Sequence, residues 1–124
     1  MLNERRVYPR VRIDKDCNIH PVVLGGDFIA TLHDVSEGGM CLVINSPESK
    51  NIPIGSCIRF AFVDEFPYMD AIRTAMLTGL VTVIRIDGQY FGCQLQEPNK
   101  SYANYINQKK GHKIKTSFWK WGKK

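Results

Sequence analysis

The sequence predicts an all-β fold, a small six-stranded antiparallel β-barrel that ends in one helix. Segments of alternating or β-branched residues recur along most of the 124 residues, and turn dipeptides such as Gly-Gly and Asp-Gly separate them. The one segment in which large side chains have helical spacing follows the last predicted strand. Short strands in series, joined by turns and followed by a late helix, are typical of a small closed sheet.

Three strands are predicted in the first half of the chain. Residues 17–24 (CNIHPVVL) and 27–35 (DFIATLHDV) are separated by a Gly-Gly pair, which predicts a hairpin. Residues 39–44 (GMCLVI) begin at a second Gly pair and form the third strand. A segment rich in serine, proline and asparagine, 46–56 (SPESKNIPIGS), is then expected to connect this strand to the next one.

Three further strands are predicted in the second half. Residues 57–63 (CIRFAFV) alternate between apolar and other side chains, whereas 66–72 (FPYMDAI) are predicted to form a loop. Residues 73–86 (RTAMLTGLVTVIRI) form a long β-branched strand in which Gly79 predicts a bulge or a bend. An Asp-Gly turn then leads into the last strand, 89–96 (QYFGCQLQ).

The segment 100–110 (KSYANYINQKK) is the predicted helix, with Asn99 or Ser101 as its N-cap. Three large side chains recur at helical spacing within it: Tyr102, Tyr105 and Ile106. We expect this helix to cap or flank one opening of the barrel.

Length and composition indicate a single globular domain. A chain of 124 residues, of which 44% are hydrophobic, can bury one core without a disulfide or a metal ion. It divides into an N-terminal arginine-containing loop (1–12), a barrel with its helix (13–110) and a basic aromatic tail (111–124). It contains no run of about 18 apolar residues. Charged residues also occupy the place where a signal peptide needs apolar ones, so we expect a cytoplasmic protein.

The cysteines and histidines lack the spacing of a metal site. The four cysteines form no Cys-x-x-Cys pair, and the three histidines are scattered. Each cysteine lies in an apolar or alternating segment, so we expect four core thiols and no metal cofactor. The sequence also has no nucleophile–base pair and no P-loop, which argues against an enzyme.

Positive charge is concentrated at the two ends of the chain. The net charge is +5, and the last 16 residues contain seven lysines and no acidic residue. They also contain Phe118, Trp119 and Trp121. This tail fits weak contact with an anionic membrane, with nucleic acid or with a partner protein. Alternatively, the tryptophans fold back onto the barrel.

The N-terminal segment ERRVYPR, which starts at Glu4, contains three arginines and a proline. Pro9 disfavours a helix here, so Arg6 and Arg10 are expected in an extended or turned loop. In such a loop both guanidinium groups can converge on one ligand, and each can bond a phosphate or the O6/N7 edge of guanine. The alternative is a solvated basic arm.

A second motif, DVSEGG, lies at the junction of two predicted strands. Asp34 can accept hydrogen bonds from the N1–H and N2–H groups of guanine, and Ser36 can donate to a phosphate. Gly38 and Gly39 permit positive φ and a close approach of the ligand to the main chain. The alternative is a plain turn in which Asp34 and Ser36 cap backbone amides.

Together the two motifs resemble those of the PilZ domain family, bacterial receptors for cyclic di-GMP. The resemblance rests on Arg-x-x-x-Arg, from Arg6 to Arg10, followed by Asp-x-Ser-x-x-Gly, from Asp34 to Gly39. The PIGS turn and the late strand YFGCQL also resemble the family, so the likeness covers roughly residues 4–110. It implies a six-stranded PilZ-type β-barrel with a C-terminal helix and a ligand on the barrel's outer surface.

The resemblance also implies roles for single residues. Arg6 and Arg10 would hold guanine edges and phosphates, opposite a wall formed by Asp34, Ser36, Gly38 and Gly39. Arg5 goes beyond the minimal motif and predicts a second, stacked ligand molecule per chain. Arg85 ends a strand, and it either reaches the ligand or is an ordinary solvated arginine.

We therefore expect a cyclic di-GMP receptor that is a monomer and not an enzyme. Without ligand the arginines repel one another and have no partner, so residues 1–12 are expected to be mobile until the ligand orders them. A downstream protein partner would read the ordered surface. Two alternatives remain: a PilZ-fold interaction module that does not use the nucleotide, and a binder of anionic surfaces or nucleic acid through the tail.

Overall fold

Six antiparallel strands form a closed barrel in the computed structural model, which describes residues 10–96 and 99–109. The predicted fold class is confirmed. A short 3-10 helix, Pro47–Asn51, lies between the third and fourth strands, and one α-helix, α1, spans 100–109. The strands are β1 (Val11–Pro21), β2 (Phe28–Ser36), β3 (Gly39–Val43), β4 (Cys57–Tyr68), β5 (Ala71–Asp87) and β6 (Tyr90–Leu95).

The order of the strands around the barrel is β1-β2-β3-β6-β5-β4, and β4 closes the ring by pairing with β1. The last strand is inserted between β3 and β5, so that β2, β3, β6 and β5 are consecutive neighbours. Because alternate residues of a strand point to opposite faces, one face of each strand supplies the core and the other forms the outer surface. These four strands therefore share one continuous outer surface.

The helix α1 closes one side of the core with buried aromatic side chains. The rings of Tyr102 and Phe60 pack at 6.0 Å between centroids, and those of Tyr105 and Phe62 at 5.5 Å, both edge to face. Asn99 is the N-cap, since its Oδ1 accepts a hydrogen bond from the Tyr102 N–H at 3.0 Å. No helix within the described ranges is long and apolar enough to cross a membrane.

The first strand begins at Val11, six residues earlier than predicted, and ends at Pro21. A bulge between Arg12 and Lys15 interrupts its pairing with β2, and Asp14 has a φ of 57° there. The bulge shifts the alternation of buried and exposed positions, so the alternation before the bulge is out of phase with the alternation after it. For this reason the sequence pattern showed only the second part.

The prediction of a loop at 66–72 is wrong. β4 continues to Tyr68 and β5 begins at Ala71, so that only Met69 and Asp70 connect them. Proline usually interrupts a strand because it has no N–H to donate. Within the described residues, β4 beyond Ala61 has no partner strand on its β1 side, so a proline there removes no ladder hydrogen bond on that side.

Gly79 keeps regular pairing with Phe60 instead of marking a bulge. The bulge of β5 lies further along, between Val83 and Arg85. A Cβ atom at Gly79 would lie 3.0 Å from the Phe60 ring and 2.8 Å from Nδ2 of Asn99. This glycine therefore leaves space for the core ring and for the cap of α1.

Candidate functional site

Four neighbouring strands place a row of residues on the outer surface of the barrel. Asp34 of β2 pairs with Cys41 of β3, Cys41 pairs with Gly92 of β6, and Gly92 pairs with Arg85 of β5. Three interstrand steps separate the two charged ends by roughly 15 Å along the sheet. The middle positions carry small side chains, so they form a low floor between an acidic and a basic end.

Arg10 and Asp34, two residues of the predicted clamp, are in direct contact. Nη1 of Arg10 donates to Oδ1 of Asp34 at 2.6 Å, and the two side chains are 29% and 16% exposed. This partial burial makes the pair stronger than an ordinary surface ion pair. The expectation that the arginines have no partner without ligand is therefore wrong for Arg10. Arg12, the next arginine along the chain, is also paired, since its Nε lies 2.9 Å from Oδ2 of Asp14.

Arg85 lies on the same surface, and its side chain crosses Gly92. A Cβ atom built at Gly92 would be 3.6 Å from Cβ and 3.7 Å from Nε of Arg85. Burial is the main cause that raises the pKa of the Cys41 thiol, and the negative charge of Asp34 raises the pKa further. The positive charges of Arg10 and Arg85 lower it, but by less. The charges of all three residues thus influence one thiol at the centre of the row.

The turn between β2 and β3 contains the remaining predicted site residues. Ser36, the last residue of β2, is buried, and the Gly38 carbonyl accepts a hydrogen bond from the Leu95 N–H at 2.9 Å. A Cβ atom at Gly39 would lie 2.0 Å from the carbonyl oxygen of Cys93, and the φ of Gly39 is not left-handed. The need for glycine at this position therefore comes from the close approach of β6 and not from positive φ.

Sequence reasoning missed His33 and Tyr90 beside this row. Their rings meet edge to face at 5.4 Å, and Nε2 of His33 lies 3.9 Å from Asp34. His33 is an extra residue of β2 relative to β3, because the pairing shifts between Leu32 and Asp34. A bulge leaves no clear mark in a strand pattern, so no signal placed His33 next to the motif.

The cysteines differ from expectation. Cys17 and Cys93 are buried, whereas Cys41 and Cys57 are half-buried, so the expected burial of all four thiols is wrong for two of them. Cys41 faces outward because it alternates along β3 with the buried residues Met40 and Leu42. Among the described residues, no group of three or more His, Cys, Asp or Glu could hold a metal ion.

Arg5 and Arg6, the other two arginines of the predicted clamp, lie outside the described residues, and so does the tail 111–124. The structure therefore brings together Arg10, Asp34 and Arg85 on one face, with the Ser36–Gly39 turn at its end. This surface presents guanidinium donors and a carboxylate acceptor beside the low floor of small side chains. It suits a flat ligand that carries both phosphates and hydrogen-bond donors.

Comparison with known proteins gives the family and the fold. Residues 4–108 match the family described as the PilZ domain. The inhibitor of motility MotI/DgrA of Bacillus subtilis has 16% identity and a TM-score of 0.68, over 91% of this chain and 53% of that one. The PilZ domain of CeSA from a cellulose-synthesizing bacterium has 11% identity and a TM-score of 0.57, over 79% of this chain and 90% of that one.

A third solved structure, the complex of MrkH from K. pneumonia with c-di-GMP, has 17% identity and a TM-score of 0.57. The match covers 99% of this chain and 55% of that one. At these identities the likeness shows the fold, and this chain spans about half the length of MotI/DgrA and of MrkH. No curated protein sequence matches the chain.

Proposed function

The chain belongs to the PilZ domain family, a family of non-enzymatic receptor domains that typically bind cyclic di-GMP, and we propose that this chain is such a receptor. The ligand would bind on the outer face of β2, β3, β6 and β5. Both motifs of the family are complete in the sequence, which supports this proposal over an interaction module that does not use the nucleotide.

The observation that carries the proposal is the contact between Arg10 and Asp34 on this face. A guanidinium group has five N–H donors, so one bond to Asp34 leaves others for a phosphate or for O6 and N7 of guanine. The second oxygen of Asp34 is an acceptor for the N1–H and N2–H donors of the same base. Adenine has the opposite donor and acceptor pattern at position 6, so it fits this pair poorly.

Arg85 supports a binding surface that extends beyond one base. It stands at the far end of the row, across the small residues Cys41 and Gly92. A dinucleotide with two bases and two phosphates can lie on this floor with one anionic group near each guanidinium group. Arg6 would complete the clamp at the Asp34 end, and Arg5 would contact a second, stacked ligand molecule.

Ligand binding would also order the N-terminal segment. Arg10 is already held by Asp34, so the change that we propose concerns the residues before it, which follow the ligand phosphates onto the barrel. A downstream protein partner would read the resulting surface. Amide hydrogen exchange at residues 5–8 should slow when cyclic di-GMP binds; unchanged exchange there would contradict this mechanism.

The clamp is tested by two arginine variants, one inside and one outside the proposed binding face. Arg10→Ala should weaken cyclic di-GMP binding by about 1.5–3 kcal/mol, as the loss of a charge-assisted contact does. Arg59→Ala removes the same charge from an exposed position of β4, a strand outside the proposed face, so it should change binding by less than about 0.5 kcal/mol. Calorimetric titration of both variants measures the difference. Equal affinities of Arg10→Ala and wild type would mean that Arg10 belongs to a solvated arm.

A further inference from the structure

One side chain of α1 holds the turn that carries the second motif. Tyr102 is fully buried, and its hydroxyl lies 3.0 Å from the carbonyl oxygen of Ser36 and 2.6 Å from that of Gly39. Ser36 and Gly39 form the last pair of the β2–β3 hairpin. A hydroxyl has one proton to donate, so the two carbonyls share it, and both ends of the turn are fixed to one atom of the helix.

The opposite end of α1 has an anchor of its own. The Tyr105 hydroxyl donates to the Asp64 carboxylate at 2.6 Å, and Nζ of Lys109 lies 3.0 Å from the same oxygen. Lys15 of β1 contacts the other oxygen of Asp64 at 3.2 Å. The helix and its N-cap therefore make polar contacts with the barrel at three places: the motif turn, β4, and the Thr78 carbonyl of β5, which accepts from Nδ2 of Asn99 at 2.7 Å.

We propose that Tyr102 is a positioning residue for ligand binding, and that it couples the ligand-binding turn to α1. The proposal rests on the proposed function, because it needs a ligand on the outer side of this turn. Tyr102 fixes the two carbonyls from the inner side, which sets the Ser36–Glu37 and Gly39–Met40 peptide planes at the two ends of the turn. Removal of the hydroxyl leaves two carbonyl acceptors without this donor and lets the turn shift.

The coupling must be reciprocal. If Tyr102 holds the turn in the geometry that binds ligand, then a ligand bound to the turn must stabilise the contact between Tyr102 and the turn. It must therefore also stabilise α1. The residues that follow the helix, 110–124, are joined directly to it. The binding event would therefore reach both ends of the chain, the N-terminal segment through Arg10 and the C-terminal segment through Tyr102.

Tyr105 provides a matched control on the same helix. Tyr102→Phe and Tyr105→Phe each remove one buried hydroxyl and keep the ring in the core, but only Tyr102 contacts the turn. A purely structural role predicts that both variants lower the melting temperature and leave ligand affinity unchanged. The positioning role predicts that Tyr102→Phe weakens cyclic di-GMP binding about 5-fold or more, whereas Tyr105→Phe stays within about 2-fold of wild type.

The experiment combines titration with amide hydrogen exchange on the full chain. In the free protein, Tyr102→Phe should speed exchange at residues 36–40 and Tyr105→Phe should not. In the wild type, cyclic di-GMP should slow exchange in 100–106. Equal affinities of the two variants, or no slowing in α1, would overturn the proposal.

These measurements distinguish a failure of the Tyr102 proposal from a failure of the proposed cyclic di-GMP binding. If wild type binds no cyclic di-GMP, the proposed function is wrong, and exchange at the turn of the free variants then decides whether Tyr102 positions it. Faster exchange in Tyr102→Phe alone would support that role, and equal exchange in both variants would refute it. If Tyr102→Phe fails to fold, the effect of ligand on exchange in wild-type α1 still decides the coupling.

Discussion

At the scale of single residues, several motif residues stabilise the fold in addition to their proposed role in binding. Gly39 is required by the backbone of β6, and the backbone carbonyl of Ser36 accepts from Tyr102. Among the motif residues that the structure describes, Asp34 and Arg10 form an ion pair on the outer face. A loss of binding on mutation of the turn therefore needs a stability measurement beside it.

Gly39 gives a stability prediction, and Gly92 of the neighbouring strand β6 provides the control. In Gly39→Ala the new methyl group would lie 2.0 Å from a rigid backbone carbonyl, so β3 and β6 must separate. We expect a loss of about 1–3 kcal/mol or more in the free energy of unfolding. Gly92→Ala meets only ordinary contacts, the nearest at 3.6 Å to Arg85, and should lose less than about 1 kcal/mol. Urea denaturation compares the two, and similar losses would contradict the clash.

At the scale of elements, the sequence predicted best the strands that turn residues bound on both sides. β2, β3 and β6 lie within two residues of their predicted ends for this reason, although β2 contains a bulge at His33. The start of β1 was missed because of its bulge, and the β4–β5 turn was missed because proline and aromatic residues look like a loop. A proline is tolerated where a strand has a free edge, and an edge is a property of the barrel and not of the local sequence.

The anchor of α1 at Asp64 predicts a pH dependence of stability. Burial alone would raise the pKa of the Asp64 carboxyl, but hydrogen bonds from Tyr105 and Lys109 outweigh it and hold the pKa below its ordinary value of 3.8. A carboxylate with a lowered folded pKa stabilises the protein above its unfolded pKa. That contribution is lost as the pH falls through the folded pKa.

Asp64→Asn should therefore lower the free energy of unfolding by about 1–3 kcal/mol near pH 7. Its difference from wild type should shrink below about pH 4, where this carboxyl begins to bind a proton in the unfolded chain while the folded protein still resists protonation. Asp16→Asn, at an exposed position of β1, should change stability little at either pH. Denaturation curves at several pH values measure this. A constant difference between Asp64→Asn and wild type across the acid range would contradict it.

At the scale of the whole molecule, the candidate site joins segments that are far apart in sequence. The resemblance of the two motifs to the PilZ family predicted Arg10 and Asp34 at one site, and the two residues are in contact because Arg10 directly precedes β1, which pairs with β2. The parts contributed by β3, β5 and β6 were harder to predict. The placement of Cys41 and Gly92 between Asp34 and Arg85 depends on register and on two bulges, which no local pattern contains. The contact of Tyr102 with the turn depends on how the helix closes the barrel.

The most direct test of the central claim is a calorimetric titration of the full chain with cyclic di-GMP and, separately, with cyclic di-AMP. We predict a dissociation constant for cyclic di-GMP in the micromolar range or tighter, about −8 kcal/mol or better. Binding should saturate at two ligand molecules per chain, and Arg5→Ala should weaken the second event. Cyclic di-AMP should bind far more weakly, because adenine does not match the donors and acceptors of Arg10 and Asp34. No binding of cyclic di-GMP, or equal affinity for both dinucleotides, would contradict the account.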